Sequence, residues 1–192
     1  MMEQLPLKNA VNMAHTILQP FVPSARVIVD MTCGNGHDTV FLAARMNDAA
    51  CLYAFDLQPC AIENTKAAVA AAGLAEKNIV YRQGSHDVLA EAIALPLDLV
   101  VFNLGYLPCG DHNLHTIAET TIKACNICFN KIAINGIIII ASYPGTAAGA
   151  DECQALRVYL QELPQKSFHV SQWKPLNQVH EPPILYIVQK RG

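Results

Sequence analysis

Charge is scarce in this chain. Charged residues make up 15% of its 192 positions, 13 basic against 16 acidic for a formal net charge of −3, and no block of lysine or arginine occurs anywhere. A protein that grips long nucleic acid through its phosphates carries a basic footprint, so extensive RNA binding by one subunit is not expected. Long apolar runs are missing too. The longest, Ile137 to Ser142, is far shorter than a membrane span requires. The first residues lack the basic start and apolar stretch of a signal peptide, which makes a cytoplasmic location and no membrane partner the expectation. There are no internal repeats, low-complexity segments or linkers, so residues 1–192 read as a single domain. Seven cysteines, an odd number, lie mostly inside apolar segments and read as reduced thiols. Cys125 and Cys128 form one Cys-x-x-Cys with no second pair, mid-helix, where neither a redox site nor a zinc knuckle is expected.

The composition that remains is 52% hydrophobic, as suits buried parallel strands. Strand and helix signals alternate from about residue 26. Strands are predicted at 26–31, 51–56, 78–82, 97–103, 137–142, 167–173 and 184–189, the last two pairing antiparallel because no crossover fits between them. Helices are predicted at 37–46, 59–72, 116–131 and 150–163, with Asn135-Gly136 turning the chain into strand five. An extra N-terminal helix spans 7–19, with Leu7, Val11, Ala14, Ile17 and Leu18 on one face. The expected fold is α/β, a Rossmann-like class I methyltransferase with a mostly parallel seven-stranded sheet and an antiparallel last strand.

Three motifs carry chemistry. The first runs from Val29 to Thr39, where a strand ends at Asp30 and Gly34 and Gly36 let the backbone turn tightly and approach a ligand. A dinucleotide site would place a third glycine where Thr39 stands. Asp30 and Asp38 would repel a phosphate, so a cationic amino-acid tail is the better guest. The second is Asp56, at the end of strand two, where a carboxylate accepts ribose hydroxyls or caps the next helix. Gly84-Ser85-His86 stands where an adenine is usually held, with an exposed loop as the alternative for His86. The third is Asn103 to Pro108 at the end of strand four, Asn-Leu-Gly-Tyr-Leu-Pro, which resembles the Asn-Pro-Pro-Tyr signature of amino-group methyltransferases. In that signature the Asn and a backbone carbonyl accept hydrogen bonds from the substrate amine. The loop Cys109 to His115 clusters Cys, Asp and two His, but no second ligand group is marked out by spacing, and no metal is expected.

With these motifs in order, the chain resembles the rRNA methylase family, whose members act in tRNA wobble-uridine modification. The resemblance runs nearly end to end. It includes Asp30 to Thr39, Phe55-Asp56-x-Gln58, Ala61 to Thr65, Asn103 to Pro108, Gly110-Asp111, Glu119 to Thr121 and the tail Asn177-Gln178 with Pro182-Pro183. One departure follows strand five. The family carries a glycine-rich, histidine-containing run there, and this chain reads Tyr143-Pro144-Gly145-Thr146.

The resemblance implies S-adenosylmethionine as cofactor, held by Asp30, Thr32, Gly34, Asn35, Gly36, His37, Asp38, Thr39, Asp56, Gln58, Ser85, His86, Asn103, Leu104 and Gly105. It implies catalysis by Asn103, Tyr106 and Pro108, and substrate contacts from Tyr106, Leu107, Asp111, Tyr143 and Asn177. The implied reaction is N-methylation of the 5-aminomethyl group of 2-thiouridine at the tRNA wobble position, with the anticodon loop of tRNA as partner. A homodimer is expected, since it would gather scattered basic residues that a −3 subunit does not cluster, and the 7–19 helix could join its contact. Competing readings are a small-molecule or rRNA N-methyltransferase, a nicotinamide-dependent oxidoreductase, and a non-catalytic cofactor-binding module.

Overall fold

The computed structural model describes residues 6–107 and 116–192. In chain order the elements are α1 (Ala10–Leu18), β1 (Val27–Asp30), α2 (His37–Ala43), β2 (Cys51–Asp56), α3 (Pro59–Ala71), β3 (Ile79–Gln83), α4 (His86–Ala92) and β4 (Leu97–Asn103). They continue with α5 (Ala118–Lys131), β5 (Ile132–Ser142), α6 (Ala147–Gln161), β6 (Phe168–Trp173) and β7 (Ile184–Lys190). The strands form one seven-stranded sheet in the order β3-β2-β1-β4-β5-β7-β6. All neighbours are parallel except β7, which runs antiparallel to both β5 and β6. This is the expected Rossmann-like methyltransferase fold. No helix among the described residues is long and apolar enough to cross a membrane.

Period-two alternation of apolar side chains builds two cores, one on each face. Val27, Val29, Val100, Phe102, Ile138 and Ile140 point to the face covered by α4, α5 and α6. Ile28, Leu99, Val101, Ile137 and Ile139 point to the other, where α1 and α2 pack. The chain winds outward from β1 through β2 to β3, then returns to place β4 on the other side of β1. The C-terminal tips of β1 and β4 therefore part at a topological switch point, where open α/β sheets form their ligand crevice.

Several boundaries differ from expectation for local reasons. Helix α1 begins at Ala10 because the Asn9 side chain accepts the Asn12 N–H at 2.8 Å and caps it. Its buried face is Ala10, Ala14 and Leu18, while Leu7 is exposed ahead of the helix. Helix α6 begins at Ala147 because Thr146 caps it, its hydroxyl accepting from the Gly149 N–H. That cap gives the departing Gly145-Thr146 pair a structural role. Helix α4 was not expected at all. Strand β5 starts at Ile132, and Asn135-Gly136 lies within it instead of leading into it. The register shifts there, Ile132 pairing with Leu97 and Ile137 with Leu99, and Asn135 takes up the excess at φ 64°. Cys125 and Cys128 lie fully buried on α5, and burial pushes the Cys128 thiol up to about 12, so the pair offers no thiolate.

The left-handed backbone at Asn135 yields a test. Asn135→Gly should leave stability within a few tenths of a kcal/mol, whereas Asn135→Val should cost about 1–2 kcal/mol, because a β-branched side chain crowds the left-handed backbone and lacks the short polar group by which Asn tolerates it. Urea unfolding of the three proteins measures the difference, and equal midpoints for Val and Gly would contradict the assigned conformation.

Candidate active site

The strand tips at the switch point carry the polar groups. Asp30 ends β1 fully buried, its Oδ2 accepting from the Thr39 hydroxyl at 2.5 Å and its Oδ1 from the Thr32 N–H at 3.2 Å. Burial first, and then the nearby Asp38 charge, push the Asp30 carboxyl up to about 8. Above it runs the glycine loop. Gly34 and Gly36 both have positive φ, 52° and 83°, and a Cβ on Gly36 would come within 3.0 Å of the Thr65 Cα on α3. Only glycine allows the loop to lie that close to α3. The Thr65 hydroxyl holds the Cys33 and Gly34 carbonyls, and Asn64 donates to the Asn35 side chain at 2.9 Å. Asp56, at the tip of β2, accepts the Gly34 N–H on Oδ2 and the Gln58 N–H on Oδ1, each at 3.0 Å. Each of these oxygens retains a lone pair for a further donor.

The facing wall begins at the tip of β4. The Asn103 N–H donates to the Thr32 hydroxyl at 2.7 Å, and its side-chain Nδ2 donates to Asp38 Oδ2 at 3.2 Å. Tyr143, just past β5, lies beside the Asn103 side chain, and burial with the nearby Asp38 charge raises its phenol to about 12. Beyond Asn103 the chain is clamped. The Gly105 N–H donates to the Thr116 hydroxyl at 2.8 Å, and the Thr116 N–H returns to the Gly105 carbonyl at 2.9 Å. The Thr116 hydroxyl in turn donates to Glu152 of α6 at 2.7 Å, and Thr121 occupies the other Glu152 oxygen, also at 2.7 Å. A buried carboxylate on α6 thus anchors Thr121 of α5 and the Thr116 that clasps Gly105.

Between these walls lies a cleft of about 970 Å³, at the upper end of the size range of small-molecule sites. Of the expected residues, Thr32, Gly34, Asn35, His37, Asp38, Asp56, Gln58, Ser85, His86, Asn103, Leu104, Gly105, Tyr106, Leu107 and Tyr143 line it together. Three others, Asp30, Gly36 and Thr39, do not line it: Thr39 is bonded to the buried Asp30, and Gly36 packs against α3. Asn177 is exposed and away from the cleft. Pro108 and Asp111, with the rest of the Cys109 to His115 loop, lie outside the described residues. His86 is not an exposed loop residue: it opens α4, 8% exposed, edge-on to Phe102. Desolvation lowers its pKa, and its Nε2 has no hydrogen-bond partner among the described residues.

Sequence reasoning missed Thr116, Thr120, Thr146, Glu152 and Glu181 in the lining, and His15 behind it. Spacing carried no sign of them, since each meets the cleft through the fold. Among the described lining residues four are acidic, Asp38, Asp56, Glu152 and Glu181, and none is Lys or Arg. Such a lining opposes a pyrophosphate and favours a cationic guest. Burial pushes the Cys33 thiol above the usual range, so it presents no thiolate nucleophile. The glycine cradle, Asp56 at hydroxyl-binding reach of the crevice and the anionic walls together suit an adenosine carrying a sulfonium.

Comparison with known proteins agrees with this geometry. A family model described as "Putative rRNA methylase" matches residues 52–189. A relative from Arabidopsis thaliana, named tRNA (mnm(5)s(2)U34)-methyltransferase, chloroplastic, is 29% identical over 194 residues, covering 96% of this chain and 71% of its own. A crystal structure from Clostridium thermocellum, described as a "putative rRNA-methylase", superimposes with a TM-score of 0.91 at 35% identity, over 96% of this chain and 98% of the other. A "putative methyltransferase" from Streptococcus mutans, solved in complex with SAH, gives a TM-score of 0.85 at 30% identity, over 96% and 99%.

The raised Asp30 carboxyl makes stability depend on pH. A folded-state pKa moved from 3.8 to about 8 means that the folded protein binds more protons than the unfolded chain across that window. Stability from this group is therefore full below the lower value and lost as pH rises through the upper. Asp30→Asn mimics the protonated acid, donating to Thr39 and accepting from Thr32. Thermal melts should show the wild type losing ground to Asp30→Asn as pH rises across the window. Parallel pH profiles for the two would show that Asp30 is ionised in the fold.

Proposed function

The chain belongs to the rRNA methylase family, and from that premise we propose that it methylates the 5-aminomethyl group of 2-thiouridine at the wobble position of tRNA. It is an S-adenosylmethionine-dependent methyltransferase of an RNA-methylating family. The observation that carries the finer reading is Asn103 at the tip of β4, its amide nitrogen turned to Asp38 and its amide oxygen left to accept from an amine. The name of the Arabidopsis relative supports the same acceptor.

Bound in this cleft, S-adenosylmethionine supplies an electrophilic methyl group on a sulfonium. Asp56 would take the ribose hydroxyls, and His86, with Ser85 beside it, would border the adenine. The glycine loop with Asn35 and His37 would line the amino-acid tail. The acceptor amine must be neutral to attack, because an ammonium has no lone pair. Asn103 Oδ1 would accept one of its N–H groups. The Gly105 carbonyl already takes the Thr116 N–H, so the Leu104 carbonyl is the better second acceptor. Held at two points, the nitrogen aims its lone pair along the transfer line. Tyr106, half exposed at the cleft, and Tyr143 offer ring faces to the base. Alignment of this kind supplies rate without a strong base. The reading takes residues 1–192 as one catalytic domain acting in the cytoplasm, and a homodimer to assemble a surface for the anticodon loop. The same cleft would serve a small-molecule amine, and acidic walls without Lys or Arg fit one well.

Incubation with labelled cofactor and bulk tRNA lacking the modification, followed by nucleoside mass spectrometry, tests the reading. Label is expected in 5-methylaminomethyl-2-thiouridine; label only in another nucleoside, or none in RNA, would refute the acceptor assignment. Asn103→Ala should lower turnover about 100-fold and keep cofactor affinity within a few-fold. Asp56→Ala should weaken cofactor binding about tenfold or more by calorimetry, as expected for hydrogen bonds to a charged group, and unchanged affinity would remove Asp56 from the ribose.

A further inference from the structure

We infer that His15 and Asp38 are a positioning pair that sets which way round the Asn103 amide sits, a conclusion that rests on reading Asn103 as the amine-binding group. The two ends of an amide are nearly alike in shape and opposite in hydrogen-bonding sense. The Asn103 backbone is pinned by Thr32, and the next N–H, that of Leu104, donates to the Ala141 carbonyl at 2.9 Å. Neither contact restrains rotation of the terminal amide, and the Tyr143 hydroxyl beside it can donate or accept and so favours neither orientation. In the flipped orientation Nδ2 would face the acceptor nitrogen and donate to the lone pair that must attack. Asp38 removes that alternative, because its carboxylate oxygen accepts from the Nδ2 end and would repel the Oδ1 end.

Asp38 needs holding in turn, and α1 provides the hold. His15 Nε2 lies 2.6 Å from Asp38 Oδ1, and both side chains are largely buried, 14% and 9% exposed. The imidazole stacks on Phe41 of α2 at 3.9 Å between centroids and 7° between planes, which blocks rotation of the ring. Phe41 is one turn beyond Asp38 on the same helix, so ring and carboxylate are carried by one rigid element. The neighbouring α1 residues Ala14 and Leu18 are packed into the core, which fixes where His15 stands. A helix that precedes the first strand thereby orients a side chain at the tip of the fourth. His15 touches none of the reacting atoms and acts only through Asp38.

The experiment compares His15→Phe, which keeps the stack on Phe41 and loses the donor, with His15→Gln, which restores a donor. His15→Phe should lower kcat about 10- to 100-fold, the size expected for a misplaced reacting group, with the KM for RNA and the cofactor Kd within about threefold. His15→Gln should recover most of that loss. A merely structural pair would instead move melting temperature and cofactor affinity without a selective fall in kcat. Asp38→Asn, whose amide can meet Asn103 with either end, should lower kcat by a similar factor and stands in should His15→Phe fail to fold. The Asn103 side-chain amide resonance, assigned by its loss in Asn103→Ala, gives a readout that needs no substrate. It should shift in His15→Phe and return toward the wild-type position in His15→Gln. Wild-type kcat in His15→Phe, or an unmoved amide resonance, overturns the inference. Failure of the wild type to methylate tRNA would count against the proposed acceptor and leave the resonance test standing.

Discussion

The hydrogen bond from the Asn103 N–H to the Thr32 hydroxyl, 2.7 Å long, joins the two halves of this molecule. Thr32 follows β1 and belongs to the loop that would hold the cofactor. Asn103 ends β4 and opens the wall that would hold the acceptor. The sheet order makes the bond possible, since β1 and β4 are neighbours although β2 and β3 lie between them in the chain. A crevice built where strand order reverses would otherwise let its walls move independently. Here they share a hydroxyl, a second bond from Asn103 to Asp38, and the stack of α1 on α2. Distance between donor and acceptor subsites is what a transfer reaction depends on most steeply, and these contacts set it.

The same crevice concentrates negative charge, which burial ordinarily penalises. Each carboxylate here finds a different solution. Asp30 sits deepest and is pushed toward its neutral form. Asp38 meets His15 and Asn103, Asp56 accepts two backbone N–H groups, and Glu152 accepts two threonine hydroxyls. The structural work of each acid is thus also its electrostatic work. Glu152 anchors the Thr116 that clasps Gly105 and adds negative potential to the wall beside Asn103.

Much of this was legible in the sequence because it rests on local rules. Short β-branched runs ending in polar residues gave the strands, and Gly34 and Gly36 marked a tight turn after the first. Asp56 and Asn103 stood out as polar residues at the ends of apolar strands. What escaped notice depends on contacts across the fold. Glu152 meets Thr116 over 36 residues and His15 meets Asp38 over 23, and neither distance leaves a pattern in the chain. Helix α4 buries His86, Asp87 and Ala90, so no apolar stripe marked it as a helix, and an exposed loop stayed open as the alternative for His86, which is buried. Asn135-Gly136 looked like a turn since the pair favours positive φ, and the fold uses that φ inside a strand instead.

If the substrate is RNA, as proposed, the anionic cleft would also divide the labour of recognising it. With four acids and no Lys or Arg among its described lining residues, it repels phosphate and would admit a base with its amine while the backbone stays outside. Affinity for RNA phosphates must then come from surface beyond the cleft, where a −3 chain offers only scattered basic residues. On the proposed reading, an aminomethyl group arriving as a cation would be drawn in by the charge that keeps phosphates out. It would then have to give up a proton before Asn103 Oδ1 could hold it as a nucleophile, so attraction and reactivity would pull in opposite directions on the same nitrogen. Amide and carbonyl acceptors at the point of transfer would reconcile the two, because such groups hold a neutral amine by its N–H groups without adding another negative charge that would favour its protonated form.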